Sequence, residues 1–241
     1  METTFYNLID NLEQYLEYQR DNGVVRVEVE RSVLQSLNKP APVAPVKKVK
    51  MPTSFSTYTE WQKQMAHCQN CALGQGRVLQ GVGCVDAPDI VFVDESPDVE
   101  ITDPTALLHG ADGSLLLKMI EAMGMGLDRV FVTHAVKCAP PKDQMPKAAE
   151  QAACQPFLLE QIRLLKPKVV VALGATALRS LLKEPLIFTH VRGSWQTADH
   201  IRLMPTYRPS TLLRDPKKKK ETWNDLKQVL TALGRQPPVR K

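Results

Sequence analysis

Lys168-Val169-Val170-Val171-Ala172-Leu173-Gly174-Ala175-Thr176-Ala177-Leu178-Arg179-Ser180-Leu181-Leu182 is the stretch on which the fold turns. After the first residue comes an unbroken apolar run rich in β-branched side chains. That pattern predicts a strand over 168–173 with both faces covered. A glycine interrupts the run, and apolar residues then recur at helical spacing, so a helix is predicted over 175–182. Strand, glycine and helix in fifteen residues make half of a parallel α/β unit.

The same alternation extends in both directions. Upstream, strands are predicted at Asp89–Val93 and Arg129–Val132, and a helix at Gly113–Met123, stopped by Gly124. A long helix over Lys147–Leu165 ends before Pro167. Downstream, a fourth strand over Ile201–Met204 ends at Pro205, and Glu221–Leu233 closes the chain as an amphipathic helix. The expected class is α/β, a three-layer sandwich with a central, mostly parallel four-stranded sheet flanked by helices. It spans residues 54–235 and begins with a helix at Phe55–Ala66. Ligands of such sheets bind beyond the C-terminal strand ends. Four loops are therefore singled out: Asp94–Asp98, Thr133–Cys138, Gly174–Thr176 and Pro205–Arg214.

Residues 1–38 read as an N-terminal helical extension, with a helix at Thr4–Gln19 and a short strand or helical start at Val24–Glu30. This extension is a candidate contact for a protein partner. Residues 39–53 are rich in Pro, Ala and Lys and read as an extended linker.

At 43% hydrophobic and 24% charged residues, collagen-like, disordered and disulfide-scaffold classes are excluded. No apolar run reaches membrane-spanning length, and the N-terminus lacks a secretory signal, so a cytoplasmic monomer without membrane contact is expected. Charge is unevenly placed. Residues 161–241 hold 17 basic and 5 acidic side chains, including Arg208, Arg214 and Lys217-Lys218-Lys219-Lys220. That asymmetry suits a polyanionic partner, nucleic acid first, although a lysine run is by itself also an ordinary solvated face.

Five cysteines in a chain of this kind argue against a disulfide framework. Cys68-x-x-Cys71 follows a helix and has no strand before it, which disfavours a thioredoxin-like pair. Cys138 and Cys154 lie far downstream. Four thiolates suit a [4Fe–4S] cluster or a structural zinc. One close pair plus two scattered residues favours the cluster. Cys84 stands apart and reads as a small buried residue. His109, His190 and His200 read as ordinary histidines, and Trp61, Trp195 and Trp223 as packing residues.

Taken together, these motifs resemble the family 4, Fe–S-containing uracil-DNA glycosylases over about residues 60–233. The likeness rests on Cys68-x-x-Cys71-x-Leu73 with Arg77, Val91-Phe92-Val93, and Gly113-x-Leu-Leu. It continues through Val132-Thr133-His134-Ala135-Val136-Lys137-Cys138-Ala139-Pro140-Pro141 and Cys154-x-Pro-Phe-Leu. The last elements are Lys166-Pro-Lys-Val-Val-Val-Ala-Leu-Gly174-Ala-x-Ala, Val191-Arg192-Gly193, and Pro205-Thr206-Tyr207-Arg208-Pro209-Ser210 with Leu212-Leu213-Arg214. The resemblance implies that Cys68, Cys71, Cys138 and Cys154 hold the cluster. It also implies a substrate of single- or double-stranded DNA carrying a damaged base.

Four sites depart from the family pattern, the first motif and three single residues. The first motif, Gly-Glu-Ala/Gly-Pro-Gly in the family, reads Asp94-Glu95-Ser96-Pro97-Asp98 here. Leu108 stands where the family has a stacking Phe, His134 where it has the Asn that pairs with uracil, and Arg208 where it has a His. The resemblance points to Glu95, Ser96, His134 and Arg208 for catalysis. Asp94, Pro97, Leu108, His134, Arg208 and Ser210 are the expected base-binding residues, and Arg192, Arg214, Lys217 and Lys218 the expected DNA contacts. Three readings stay open: a glycosylase for uracil or another deaminated base, a glycosylase-fold DNA binder without base excision, and an assembly module acting through residues 1–38.

Overall fold

The computed structural model describes residues 54–75, 77–97, 107–141, 144–182, 186–198 and 200–238, together with Leu16. Apart from Leu16, the predicted extension over 1–38 and the linker over 39–53 lie outside the described residues, as does Asp98.

Six strands form one sheet in the order β1-β3-β2-β4-β6-β5. They are β1 (Val82–Gly83), β2 (Ile90–Asp94), β3 (Val130–His134), β4 (Val169–Leu173), β5 (Gln196–Ala198) and β6 (Ile201–Thr206). The expected parallel strands are β3, β2, β4 and β6, paired in that order. The count of four is corrected to six because an antiparallel strand flanks each edge, β1 on β3 and β5 on β6. Both are very short. One follows Gly81 and itself contains a glycine, and the other reads Gln196-Thr197-Ala198, so neither carries an apolar signature.

Strand ends also move. β6 runs through Pro205 to Thr206 instead of stopping before it. The Pro205 carbonyl accepts Gly193 N–H (2.9 Å), so its missing N–H falls on the side away from β4 and breaks no ladder bond.

Alternation along the parallel strands sorts the core into two faces. Ile90, Phe92, Val130, Val132, Val169, Val171 and Met204 pack with α2 (Gly110–Ala122), and on the same face lie residues of α6 (Pro209–Arg214) and α7 (Lys219–Ala232). Val91, Val93, Phe131, Val170, Ala172 and Leu203 face α3 (Ala148–Leu165) and α4 (Gly174–Leu181). A short helix, α5 (Phe188–Val191), precedes β5. α6 forms within the Pro205–Arg214 segment expected as loop; Pro209 occupies its first position, where a missing N–H costs nothing.

Helix α1 (Tyr58–Met65) is capped by Thr57, whose side chain accepts Glu60 N–H while the Glu60 carboxylate returns to the cap. Its buried Trp61 donates to the Phe157 carbonyl (3.2 Å) and fixes α1 to α3. Cys84 is half-buried, not buried as expected, and its thiol donates to Asp86 O (3.3 Å).

Candidate functional site

Parallel register brings the singled-out residues together. Asp94, the last residue of β2, is in register with His134, the last of β3. Leu173, ending β4, is in register with Thr206, ending β6. The residues just beyond these ends therefore meet over the top of the sheet.

Glu95 is the centre of the arrangement. It is 7% exposed, and both of its carboxylate oxygens are engaged. Arg208 Nη1 donates to Oε1 (3.0 Å), and Thr176 Oγ1, in the first turn of α4, donates to Oε2 (2.5 Å). The Asp94 carboxylate accepts the Glu95 backbone N–H (2.8 Å) and lies 3.2 Å from Arg208 Nε. That last contact is close but misaligned, and Arg208 Nε is left without a hydrogen bond. Burial disfavours the Arg208 cation, but the carboxylates of Asp94, Glu95 and Asp112 outweigh it and hold the guanidinium above its ordinary pKa. A quarter of the side chain, 24%, remains exposed. Gly174 (φ +84°) makes the space: a Cβ there would stand 3.2 Å from Arg208 Cδ.

His134 is buried, and its Nδ1 has no hydrogen-bond partner. Burial pulls its pKa down to about 3; the Lys137 and Arg208 charges pull the same way, and Glu95 opposes them. The imidazole is therefore neutral, with one nitrogen a donor and the other an acceptor.

The other candidates are placed less uniformly. Ser96 and Ser210 are half-buried and Pro97 is buried. Leu108 is 6% exposed and packs into the core on the α2 face. Gly113 lets that happen, since a Cβ there would come within 2.5 Å of the Leu108 backbone.

Arg192, read as a DNA contact, makes two bonds to Asp225 (3.0 and 2.8 Å) and an ion pair with Glu221 (3.1 Å). Gly193 (φ +72°) accommodates this, because a Cβ would meet Asp225 Oδ1 at 2.6 Å. Arg214 and Lys217 are exposed. Lys218 is half-buried, its ammonium 4.8 Å from the centre of the Tyr207 ring, which Arg192 also approaches at 5.1 Å. The basic segment thus touches the residue next to Arg208.

Among the described residues, no set of three or more His, Cys, Asp or Glu side chains is gathered tightly enough to hold a metal ion. The donor chemistry nevertheless fits a thiolate-held group. Cys68, Cys71, Cys138 and Cys154 are all free, and Cys138 is bridged to Val78 on the strand-like return from the Cys71 turn. Burial pushes the Cys138 thiol up to about 12, and Cys154, Cys71 and Cys68 add to it. Burial pushes Cys154 up to about 11, with Lys137 opposing and Cys68 and Cys71 adding. Thiols held up in this way by burial and by neighbouring sulfurs, as Cys71, Cys138 and Cys154 are, ionise together most readily against a cationic centre. The Lys137 backbone N–H already donates to Cys154 Sγ (3.4 Å).

Three participants escaped the sequence reading: Thr176, Asp112 and Lys137. Thr176 sits inside the Gly174-Ala-Thr-Ala motif and could have been read from it. Asp112 carries no local signal, since Arg208, on which its charge acts, lies on a distant element, whereas Lys137 stands in the singled-out Thr133–Cys138 loop and only its contact with Gln161 of α3 depends on packing.

A family model described as the uracil DNA glycosylase superfamily matches residues 80–227. That span contains Cys138 and Cys154 and the whole carboxylate–arginine site, while Cys68 and Cys71 precede it. A type-4 uracil-DNA glycosylase of Thermotoga maritima is 37% identical over 159 residues, covering 64% of this chain and 81% of the relative. One from Sulfurisphaera tokodaii is 33% identical over 179 residues, 70% of this chain and 81% of the relative. A type-5 enzyme of Pyrobaculum aerophilum is 39% identical over a shorter 93 residues, 37% of this chain and 40% of the relative. A match to the family model over more than half the chain, in step with a sheet whose strand ends gather the motif residues, decides the matter: the chain belongs to the uracil DNA glycosylase superfamily and is a relative of its type-4 members.

Proposed function

We propose that this protein is a DNA glycosylase that hydrolyses the N-glycosidic bond of a flipped deaminated base, either uracil or a base with a related edge. The buried Glu95 carboxylate, held through both oxygens above the strand ends, carries this reading. As the bond to the base lengthens, positive charge grows on the sugar and negative charge on the base. Asp94 and Glu95 supply two negative charges against the single positive charge of Arg208, with His134 neutral. The net field favours the sugar cation. His134 offers a donor–acceptor pair to the base edge, which a flipped base needs for recognition. The exposed part of Arg208 faces the departing base, and the Ser96 hydroxyl orients the attacking water. Leu108, turned into the core, supplies no stacking surface.

Arg214, Lys217 and Lys218 bind backbone phosphates, and the half-buried Tyr207 links them to the site. Cys68, Cys71, Cys138 and Cys154 hold a [4Fe–4S] cluster, whose contribution is to pin the Cys68–Cys71 turn to the β3 exit and α3. Free thiols suit the cytoplasm, where they stay reduced. No helix among the described residues is long and apolar enough to cross a membrane.

One observation favours a second reading. Arg208 already pairs with Asp94 and Glu95, so the cation that would meet the leaving base is largely neutralised. On that reading the fold recognises DNA without excising a base.

Single-turnover assays on anaerobically purified protein separate the two. The substrates are single- and double-stranded oligonucleotides carrying uracil, hypoxanthine, xanthine or thymine opposite guanine. Alkali-labile product from any of them supports the enzyme and names its base. Salt-dependent binding with no abasic product on any substrate refutes excision and leaves the binder.

A further inference from the structure

At the sheet edge, a groove of about 500 Å³ lies between helix α7 and the β5–β6 hairpin. Gln196 is in register with Leu203, so Trp195 and Arg202 are diagonal neighbours on the face that α7 covers. Arg202 is exposed, and its guanidinium lies 4.1 Å from the centre of the half-buried Trp195 ring. Across the groove, Asn224, Lys227, Gln228 and Thr231 recur at helical spacing and form one exposed stripe of α7. Gln228 Nε2 donates to the Gly193 carbonyl (3.1 Å) and holds the helix beside the hairpin. No acidic side chain lines the groove. Among the described residues, neither Arg202 nor Lys227 has a carboxylate partner.

A lone surface lysine is a solvated charge, but this combination is more selective. A guanidinium stacked on an indole is held in place while its N–H fork stays available to a phosphate. The position of the groove matters as well. Lys218, just before α7, lies 4.8 Å from the centre of the Tyr207 ring, and Tyr207 adjoins Arg208. At 1.5 Å per residue, Asn224 and Thr231 stand roughly 8 and 18 Å along the helix from Lys219, a span that a strand covers in a few nucleotides. Pockets of about 300–1,000 Å³ enclose single small molecules, so this groove takes a piece of one strand and not a duplex.

We propose that the groove between α7 and the β5–β6 hairpin binds the backbone of single-stranded DNA a few nucleotides from the flipped base, with Arg202 and Lys227 as its phosphate contacts. This deepens the reading of the protein as a DNA glycosylase, on which it rests, by making a flanked single strand the preferred substrate.

The test measures binding rather than excision, by anisotropy of labelled single strands that carry one uracil. One strand of about seven nucleotides fills the site alone, and two others add about six nucleotides on the 5′ or the 3′ side. With the unaltered chain, one of the two extensions is expected to tighten binding about fivefold or more and to quench tryptophan emission. Arg202→Ala and Lys227→Ala should each remove most of that tightening and lower the slope of log affinity against log salt by about 0.7. Trp195→Phe, which keeps a ring for Arg202, should keep the tightening and lose the quench. Lys63→Ala removes an exposed charge from α1 and should change neither. If Arg202→Ala does not fold, Lys227→Ala and its salt slope carry the test. Equal affinity for short and extended strands overturns the proposal, and so does an equal loss in Lys63→Ala. Quenching by polyglutamate, with no effect of strand length, also overturns it and gives the groove to an acidic protein partner. The two readings fail separately. Extended strands that bind more tightly but yield no abasic product refute excision and leave the groove, whereas excision with no effect of strand length refutes the groove alone.

Discussion

Arg208 is permanently charged and is held by two carboxylates, so a substitution there acts first through what it leaves behind. Arg208→His alone strands Asp94 and Glu95. Breaking a fully buried pair costs about 3–5 kcal/mol, and less is expected here because a quarter of Arg208 is exposed. A lowered thermal midpoint, recovered on adding Asp94→Gly, is the expected result in a melting experiment. For the same reason, His134→Asn with Arg208→His should raise uracil excision fully only when Asp94→Gly is added. A double variant as active as the triple one means Asp94 does not block the site. His134 has a pH signature as well. Its folded pKa is about 3, against 6.5 for a free imidazole. The unfolded chain therefore takes up the proton first, and stability is lost as pH falls from about 6.5 toward 3. His134→Asn should flatten this part of the acid-denaturation curve. A curve unchanged between wild type and variant rules out the buried neutral imidazole.

At the scale of elements, the cysteines proposed to hold the cluster lie on three that chain order keeps apart: the turn after α1, the exit of β3, and α3. Cys138→Ala is expected to lower heat stability more than any loop substitution, compared by thermal melting of anaerobic samples. A soluble variant with an unchanged midpoint contradicts the pinning role. The Arg192–Asp225 contact joins the segment before β5 to α7 in the same way, and it depends on Gly193. Gly193→Ala combines a positive φ with a 2.6 Å approach to Asp225. A non-glycine residue forced into that region costs about 1–3 kcal/mol. A wild-type melting profile for that variant means the contact is not structural.

For the whole molecule, charge asymmetry becomes a surface. Exposed Arg214 and Lys217 lie on the segment that leads from Tyr207 into α7. If Lys217 contacts a phosphate, Lys217→Ala should weaken DNA binding about equally across sequences. It should also reduce the slope of log affinity against log salt by about 0.9 on duplex. Titrations at several salt concentrations check this; an unchanged slope means the lysine is only solvated.

Much of this architecture was legible beforehand because its signals are local. The run Val169–Leu173 announces a strand buried on both faces, and Gly174 announces the turn. The four parallel strands and the helices between them follow from such periodicity. The edges were not legible: Val82–Gly83 and Gln196–Ala198 are too short and too polar to show a period, and they are strands only because β3 and β6 offer partners. The site divides in the same way. Strand-end loop positions, together with the family resemblance, marked Asp94, Glu95, His134 and Arg208 as candidates. That Arg208 binds both acids, that Thr176 completes the Glu95 shell, that Leu108 turns into the core, and that Lys137 is buried beside Cys154 depend on parallel register and packing. These are contacts between residues tens of positions apart, and only the folded sheet brings their side chains within hydrogen-bonding distance.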